Sequence, residues 1–197
     1  MLKRLTLVGF ISIFVLSMAA CGPAAEVPET EEEAAAPPPE PPPPVYELTE
    51  VALLEEAPDF TSKNISVLGV KVGDVTRQIE ESLGELVNTR TSEEDYITAY
   101  QNGGLVIYTF KLTGKARQIE ITEFLADKIA DPNLKNLLNE GDLDEMRELF
   151  GEEQGTVEDE ETGAKEYIYE DRGFRFIQYS VQGREINAIR FNEILQR

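Results

Sequence analysis

The chain has 197 residues, of which 38 are aspartate or glutamate and 18 are lysine or arginine, giving a formal net charge of −20 at pH 7. This charge repels phosphate backbones, so we expect no nucleic-acid partner. The sequence contains no histidine, which excludes Ser-His-Asp triads and removes the most common general base and zinc ligand. We therefore expect no catalytic residue, no metal ligand and no cofactor.

The first 20 residues have the order of a secretory signal peptide. The apolar stretch 5–17 follows two basic residues and leads through small residues to Cys21, the only cysteine. This order resembles a bacterial lipobox, in which the thiol is lipidated and becomes the mature N-terminus, although Met18 stands where the usual pattern has leucine. The stretch is also shorter than the about 20 residues of a membrane span. The alternatives are a plain signal peptide with an incidental cysteine and an uncleaved membrane anchor.

Residues 21–45 are expected to form the lipidated N-terminus and a disordered tether. Nine of the eleven prolines and six glutamates lie within 22–45. Such a composition cannot form a core and favours extended polyproline II. We interpret it as an arm that holds the folded part away from the lipid. A proline-rich ligand for a recognition domain is the alternative.

The remaining residues contain a pattern that occurs twice. Ile79-x-x-x-Leu83-Gly84 matches Met146-x-x-x-Phe150-Gly151, and later matches include Ile119 with Ile189. The offset between copies rises only from 67 (146 minus 79) to 70 (189 minus 119). We interpret this pattern as a tandem duplication. On this interpretation 46–126 holds an N-terminal segment and the first repeat, and 127–197 holds the second.

Each copy reads as one helix followed by strands. Asp74 is the expected N-cap of the first helix, and Asp142 with Glu145 predicts a capping box for the second. Asp131 before a first-turn proline predicts a short helix between the copies, and another is expected before Pro58. Apolar alternation and glycine turns predict strands near 96–101, 105–112, 115–122, 165–170, 174–181 and 185–191. The expected fold class is therefore α+β, with two helix-plus-antiparallel-sheet repeats in one domain.

The motifs carry a resemblance to a known family. Gly73-Asp74, an amphipathic helix ending in Leu83-Gly84, strands with tyrosines and the Gly114-Lys115 hairpin resemble the SmpA/OmlA (BamE-like) small lipoproteins. The tandem arrangement is similar to the β-lactamase-inhibitory-protein architecture, in which two repeats form one curved sheet. The resemblance covers 67–191 and implies a non-catalytic binding or assembly module. This chain is duplicated, unlike the first group, and lacks the disulfides of the second, so no binding residue is transferred from either.

The first strand of each copy carries two tyrosines, Tyr96 and Tyr100 in one copy and Tyr167 and Tyr169 in the other. Tyrosine is enriched at protein interfaces, so these four are the candidate binding face. The alternative is that both faces of the sheet are core. The acidic run 152–161 lacks the spacing of an EF-hand calcium loop and is interpreted as a solvated hairpin.

We expect a lipid-anchored protein of the bacterial cell envelope that binds another envelope or secreted protein, or an envelope polymer, without covalent chemistry. Its membrane contact is the lipid on Cys21, and Gly22 is compatible with sorting to the outer membrane of a cell that has two membranes. One alternative is an inhibitor of an extracellular hydrolase, with 87–94 and 154–165 as candidate protruding loops. A carboxylate-based envelope enzyme is the third reading.

Overall fold

A computed structural model describes residues 41–85, 88–160 and 162–193. The signal peptide, Cys21 and most of the tether lie outside these residues. The helices are α1 (Leu53–Glu56), α2 (Thr76–Leu83), α3 (Pro132–Glu140) and α4 (Leu143–Phe150). The strands are β1 (Tyr46–Glu47), β2 (Ile65–Ser66), β3 (Thr89–Thr91), β4 (Asp95–Tyr100), β5 (Leu105–Phe110), β6 (Lys115–Thr122), β7 (Gly155–Glu158), β8 (Lys165–Tyr169), β9 (Phe174–Val181) and β10 (Arg184–Asn192). The expected α+β fold class is confirmed.

Eight strands form one antiparallel sheet in the order β3-β4-β5-β6-β10-β9-β8-β7. Each half of this sheet contains four consecutive strands, and a helix precedes each set, α2 before β3 and α4 before β7. The halves meet where β6 pairs with β10, and Glu120 opposite Arg190 is the middle pair of that register. Gln118 pairs with Asn192, and Thr122 pairs with Ala188. A shift of 70 residues takes Gln118 to Ala188 and Thr122 to Asn192, so it exchanges these two pairs. The tandem duplication itself stays an interpretation of the sequence.

One face of the sheet packs against all four helices. The register places Ile107, Ile119, Phe191, Phe174 and Tyr169 in one continuous row on this face. All five are buried in the same apolar core as residues from every helix. The helix residues in that core are Leu53, Ile79, Leu134, Leu137, Leu138, Met146 and Phe150. Removal of this apolar surface from water is the main contribution to the stability of the domain.

The buried carboxylate of Asp131 joins two helices. As predicted, Asp131 is the N-cap of α3, where it accepts hydrogen bonds from the backbone N–H groups of Asn133 and Leu134. Its other oxygen accepts from the backbone N–H of Leu54 in α1, at 2.7 Å. One carboxylate therefore satisfies backbone donors at the starts of two helices that are far apart in sequence.

The expected caps of the other two helices differ in detail. Val75, not Asp74, is the N-cap of α2, because the Asp74 carboxylate accepts from the backbone N–H of Lys71 instead. Asp142 does cap α4, accepting from the N–H groups of residues 144 and 145. The Glu145 carboxylate accepts from the side-chain amide of Asn136 and makes no reciprocal bond, so the capping box is incomplete.

The segments expected to protrude as loops contain short edge strands. β3 lies within 87–94 and β7 lies within 154–165, and each is hydrogen bonded at one side of the sheet. Each described segment thus holds one half of a hairpin. Both segments are therefore strand for part of their length and not loop throughout, and their entry into an enzyme cleft stays a prediction.

The N-terminal end of the folded part is held in place by hydrogen bonds to Glu47, in β1. Its carboxylate accepts five hydrogen bonds, from the backbone and side chain of Thr49, the hydroxyl of Ser66, and the N–H groups of Leu68 and Gly69. Leu68 has a φ of +52° and Gly69 a φ of +78°, a strained combination for leucine. Burial raises the pKa of Glu47, but these hydrogen bonds outweigh it and lower the pKa below its ordinary value.

We predict that Asp131→Ala lowers the free energy of unfolding by about 2–4 kcal/mol, because three backbone N–H groups, one in a buried and two in partly buried hydrogen bonds, lose their acceptor. The matched control is Asp142→Ala, an N-cap whose hydrogen bonds are exposed, for which a loss of about 1 kcal/mol is expected. Urea denaturation followed by circular dichroism measures both. Equal losses in the two variants would contradict the double-capping role of Asp131.

Candidate binding face

The face of the sheet opposite the helices, named here the open face, carries a second set of side chains. Val106, Glu120, Arg190, Arg175 and Ile168 form a continuous row across five strands on this face. All four described helices contribute to the core on the other face. Strand alternation therefore builds two different surfaces, one apolar and covered, the other mixed in polarity.

Charged residues of the open face form a network across the middle of the sheet. The guanidinium of Arg190 contacts Glu120 at 2.8 Å and Glu166 at 3.1 Å, and Arg175 contacts Glu166 at 2.5 Å. Arg175 and Arg190 are directly opposite each other in the register, an arrangement of like charges that is destabilising by itself. Glu166 pairs with both arginines and so offsets part of the repulsion between them.

Two tyrosines flank this network on the same face. The Tyr108 hydroxyl donates a hydrogen bond to Glu120 at 3.3 Å, and the Arg190 guanidinium lies 5.2 Å from the centre of the Tyr108 ring. Burial raises the pKa of Tyr108 to about 12, and the negative charge of Glu120 adds to this shift. Burial and the same glutamate also raise the pKa of Tyr179. Both hydroxyls thus remain neutral donors at physiological pH.

The four tyrosines expected to form the binding face do not lie on the open face. In the register Tyr96, Tyr100, Tyr167 and Tyr169 are opposite Thr109, Leu105, Phe176 and Phe174, on the side that packs against the helices. Tyr167 and Tyr169 are buried, Tyr100 is half-buried, and Tyr96 is 45% exposed. The structure therefore places these four side chains at the core and its margin, and does not join them into one exposed surface.

The open face is instead marked by Tyr108 in β5 and Tyr179 in β9. The sequence contained a usable signal, since in these two strands the tyrosine lies on the face opposite the most apolar residues, such as Ile107 and Phe176. A side chain in that position must point away from the helix-covered core. Arg190 had no comparable signal, because its role depends on which strands pair.

A cleft of about 970 Å³ lies at one end of the open face, where β10 ends. Its walls include Phe110, Lys115, Arg117, Ile168, Arg175 and Asn192. Arg117 is paired with Asp95 at 2.5 Å and with Glu94 at 2.9 Å, and its guanidinium lies 5.4 Å from the centre of the Phe110 ring. The cleft thus combines ring, aliphatic and charged groups.

The acidic run 152–161 is only partly a loop. Residues 155–158 form edge strand β7, and the turn to β8 follows. Arg147 pairs with Glu153 at 3.0 Å and with Glu152 at 3.5 Å. Within residues 41–85, 88–160 and 162–193, no group of three or more acidic residues is placed to hold a metal ion.

Comparisons with known proteins assign no family. No family model matches the sequence, and no curated protein matches it. Among solved structures, a DUF4309 family protein (YjgB) from Bacillus subtilis is similar at a TM-score of 0.46 and 10% identity, over 74% of this chain and 95% of that chain. A likeness at this level carries no argument about function. The resemblance to the SmpA/OmlA lipoproteins stays a prediction.

None of the helices in the described parts of the chain has the length and apolar character needed to cross a bilayer.

We predict that Tyr108 and Tyr169 ionise late in an alkaline titration, since burial raises the pKa of each to about 12 from an ordinary value of about 10. The folded state then holds protons that the unfolded state has lost. The stability contributed by these hydroxyls is complete below about pH 10 and is lost as the pH rises towards about 12.

Absorbance at 295 nm follows the ionisation, and denaturation at pH 9 and 11 follows the stability. Tyr108→Phe should remove one late-ionising tyrosine and lessen the alkaline loss of stability. If the same number of tyrosines ionises late in this variant as in the wild type, the assigned environment of Tyr108 is wrong.

Proposed function

We propose that this chain is a lipid-anchored protein of the bacterial cell envelope that binds another protein through the open face of its sheet, without catalysis. The observation that carries this proposal is the placement of Tyr108, Tyr179 and Arg190 on the face opposite the core that the four α-helices form with the sheet. Tyrosine and arginine are the residue types enriched, with tryptophan, among the energetic centres of protein interfaces.

The open face suits a protein partner because its polar groups are held in place before binding. Each arginine of the network has a carboxylate partner, and Tyr108 and Arg190 are both half-buried. A partner that covers them therefore fixes few additional rotamers, which lowers the entropic cost of association. The apolar residues Ile177, Ile186 and Ala188 of the same face are already buried.

Charge favours a basic partner. On the open face, three arginines (Arg117, Arg175 and Arg190) pair with acidic residues, so the centre is close to neutral. The chain as a whole has a net charge of −20. Such a field accelerates the approach of a basic protein.

Location in the envelope is proposed from the sequence. The signal-like first 20 residues, Cys21 directly after small residues, and the proline-rich tether together support a lipid-anchored domain held at a distance from the membrane. Gly22 supports the outer membrane as the destination in a cell with two membranes. A single acyl chain gives only marginal membrane binding, so the lipid on Cys21 must supply at least two.

We predict that a photo-crosslinker on the open face captures a defined protein in intact cells. Tyr108→p-benzoylphenylalanine and Tyr179→p-benzoylphenylalanine place the group on the proposed face, and irradiation followed by mass spectrometry identifies the adduct. The expected result is the same partner from both positions, because they flank one charge network.

Tyr96→p-benzoylphenylalanine is the matched control, since Tyr96 is a 45% exposed tyrosine on the helix side of the sheet. It should capture little of that partner. Equal capture from position 96, or none from positions 108 and 179, would contradict binding at the open face. Capture of a secreted hydrolase whose activity falls on mixing with the protein would assign the inhibitor function instead.

We predict that Cys21→Ser releases the protein from membranes and abolishes incorporation of labelled palmitate, because the thiol is the proposed site of acylation. Ser17→Ala, a change within the same leader, is the control and should keep both properties. Fractionation of cell extracts measures the first and metabolic labelling the second. Retention of the Cys21→Ser protein in the membrane fraction would refute the lipid anchor.

A further inference from the structure

The side of β7 that faces away from β8, named here the outer edge, is unpaired in the part of the chain that the structure describes. Asp159 and Ala164 continue the β7–β8 register, and the N–H of Asp159 donates to the carbonyl of Ala164 at 2.8 Å. Hydrogen-bonded and non-hydrogen-bonded pairs alternate in an antiparallel ladder. The backbone groups of Val157 therefore face β8, whereas those of Thr156 and Glu158 face the outer edge. Two N–H groups and two carbonyls are thus placed to pair with a further strand.

The outer edge has unfilled space beside it on the open face. Gly155 and Val157 are on this face, since they are opposite Ile168 and Glu166 in the register. Gly155 is not in the left-handed region, and a Cβ there would lie 3.8 Å from Cδ1 of Ile168, an ordinary contact distance. Neither conformation nor crowding therefore requires glycine. Ile168 is half-buried and Val157 is 50% exposed, so an aromatic side chain of an added strand can pack over the glycine.

The charge along the outer edge is negative. Glu158 and Glu160 are exposed, and neither forms an ion pair with any residue that the structure describes. The two glutamates that precede β7 are paired with Arg147 and add little to the charge that a partner meets. Lys165 is opposite Glu158, on the inner side, without an ion pair to it. A basic residue placed opposite Glu158 by an added strand would pair with an available carboxylate, and such cross-strand pairs are favourable.

The occupants that this chain itself could supply do not suit the outer edge. A second copy would bring two acidic edges together, where like charges repel. Residues 22–40 contain no lysine or arginine and are rich in proline, which cannot donate to a ladder. Residues 194–197 reach about 14 Å at most. A strand beyond β7 lies four strand spacings from β10, or about 19 Å. The edge therefore suits a basic segment of another protein.

We propose that the outer edge of β7 binds an extended basic segment of another protein, which adds to the sheet as a further antiparallel strand. A basic residue of this segment lies opposite Glu158, and a β-branched residue lies opposite Val157. The next residue keeps its N–H and pairs with Thr156, and an aromatic residue follows opposite Gly155. Backbone hydrogen bonds supply the affinity, and these side chains supply the specificity.

This contact is additional to the proposed one at Tyr108 and Tyr179. The strands that carry those tyrosines, β5 and β9, are paired on both sides, and β7 is two strands away from β9. Crosslinkers at positions 108 and 179 report on the middle of the open face, whereas short peptides report on the outer edge. Either contact can therefore fail without the other.

The probe is the peptide acetyl-Arg-Lys-Val-Thr-Phe-Thr-amide, whose lysine is the residue expected opposite Glu158. It is titrated by calorimetry into the full-length protein in a neutral detergent, and a dissociation constant of about 1 mM or lower is expected. Proline in place of the first threonine removes the N–H that pairs with Thr156 and should weaken binding at least about tenfold. Alanine in place of phenylalanine should weaken it about fivefold.

Thr156→Pro is the corresponding change in the protein. It removes an N–H from the outer edge, whereas the donors to β8 belong to other residues of β7, and proline is tolerated where an edge N–H faces solvent. Binding of the peptide should weaken at least about tenfold. Thr156→Ala keeps the N–H, so it is the matched control and should bind as the wild type does. Circular dichroism checks that both variants keep the fold.

Charge is tested by reversal on both sides of the contact. Glu158→Lys should weaken binding of the probe about fivefold and should strengthen binding of a peptide with Glu-Glu in place of Arg-Lys. Glu185→Lys is the matched control, since Glu185 is an exposed glutamate of β10, three strands from β7. It should leave the binding of both peptides unchanged.

Four results would overturn the proposal. Equal binding of the threonine and proline peptides would exclude a ladder at the outer edge, and this comparison decides even if Thr156→Pro does not fold. Tighter binding of the Glu-Glu peptide by the wild type would exclude a basic partner. The third result is an absence of probe binding at about 10 mM. The fourth is dimerisation of the wild type that Thr156→Pro abolishes, which would assign the edge to a second copy.

Discussion

The pairing of β6 with β10 is the constraint on which the rest of the domain depends, because it joins the two halves of the eight-stranded sheet in the part of the chain that the structure describes. Glu120 and Arg190 are its central pair and are joined by an ion pair. A buried ion pair contributes less to stability than its Coulomb energy suggests, since both charges must leave water. A shift of register by one residue would turn the two side chains to opposite faces and leave charges in the apolar core. The pair therefore mainly selects the register in which β6 and β10 align. Most of the stabilisation comes from the row of buried residues on the other face, which runs from Ile107 to Tyr169.

The same alternation explains why the two faces differ so sharply. Along β10, Ile189 and Phe191 face the helices while Arg190, between them, faces away. The helix side gains its energy from apolar area removed from water. The open face keeps its charged groups and hydroxyls near solvent, where ion pairs and hydrogen bonds among them are enough to stabilise them. Under the proposed function, recognition and folding use opposite faces of one layer, so a change on the open face would alter binding with little cost to the core.

Much of the fold follows from local patterns in the sequence. The strand predicted near 115–122 coincides with β6, and that near 174–181 coincides with β9, since apolar alternation over eight residues leaves few other conformations. Asp131 was identifiable as a cap because aspartate before proline is typical of a helix start. Its hydrogen bond to Leu54 was not, because the two residues are separated by 77 positions.

The failures have a common cause. β3 and β7 are three and four residues long and mostly exposed, so no apolar period marks them. Their backbone pairs with β4 and β8 once those strands are in place. The candidate tyrosines were assigned by residue type, but the direction of a strand side chain depends on its partner's register. Tyr169 stacks on Phe174 at 4.8 Å between ring centres, a contact that appears only when β8 and β9 are aligned.

The cluster of hydrogen bonds around Glu47 has a mechanical consequence. If the chain is anchored at Cys21 as proposed, tension from a bound partner would enter the domain at Tyr46, where β1 pairs with β2 through two residues. So short a pairing would peel first under load. Glu47 ties that strand to the Ser66–Gly69 turn through a single carboxylate. In a chain anchored as proposed, these hydrogen bonds would have to break before a pull on the N-terminus separates β1 from this turn.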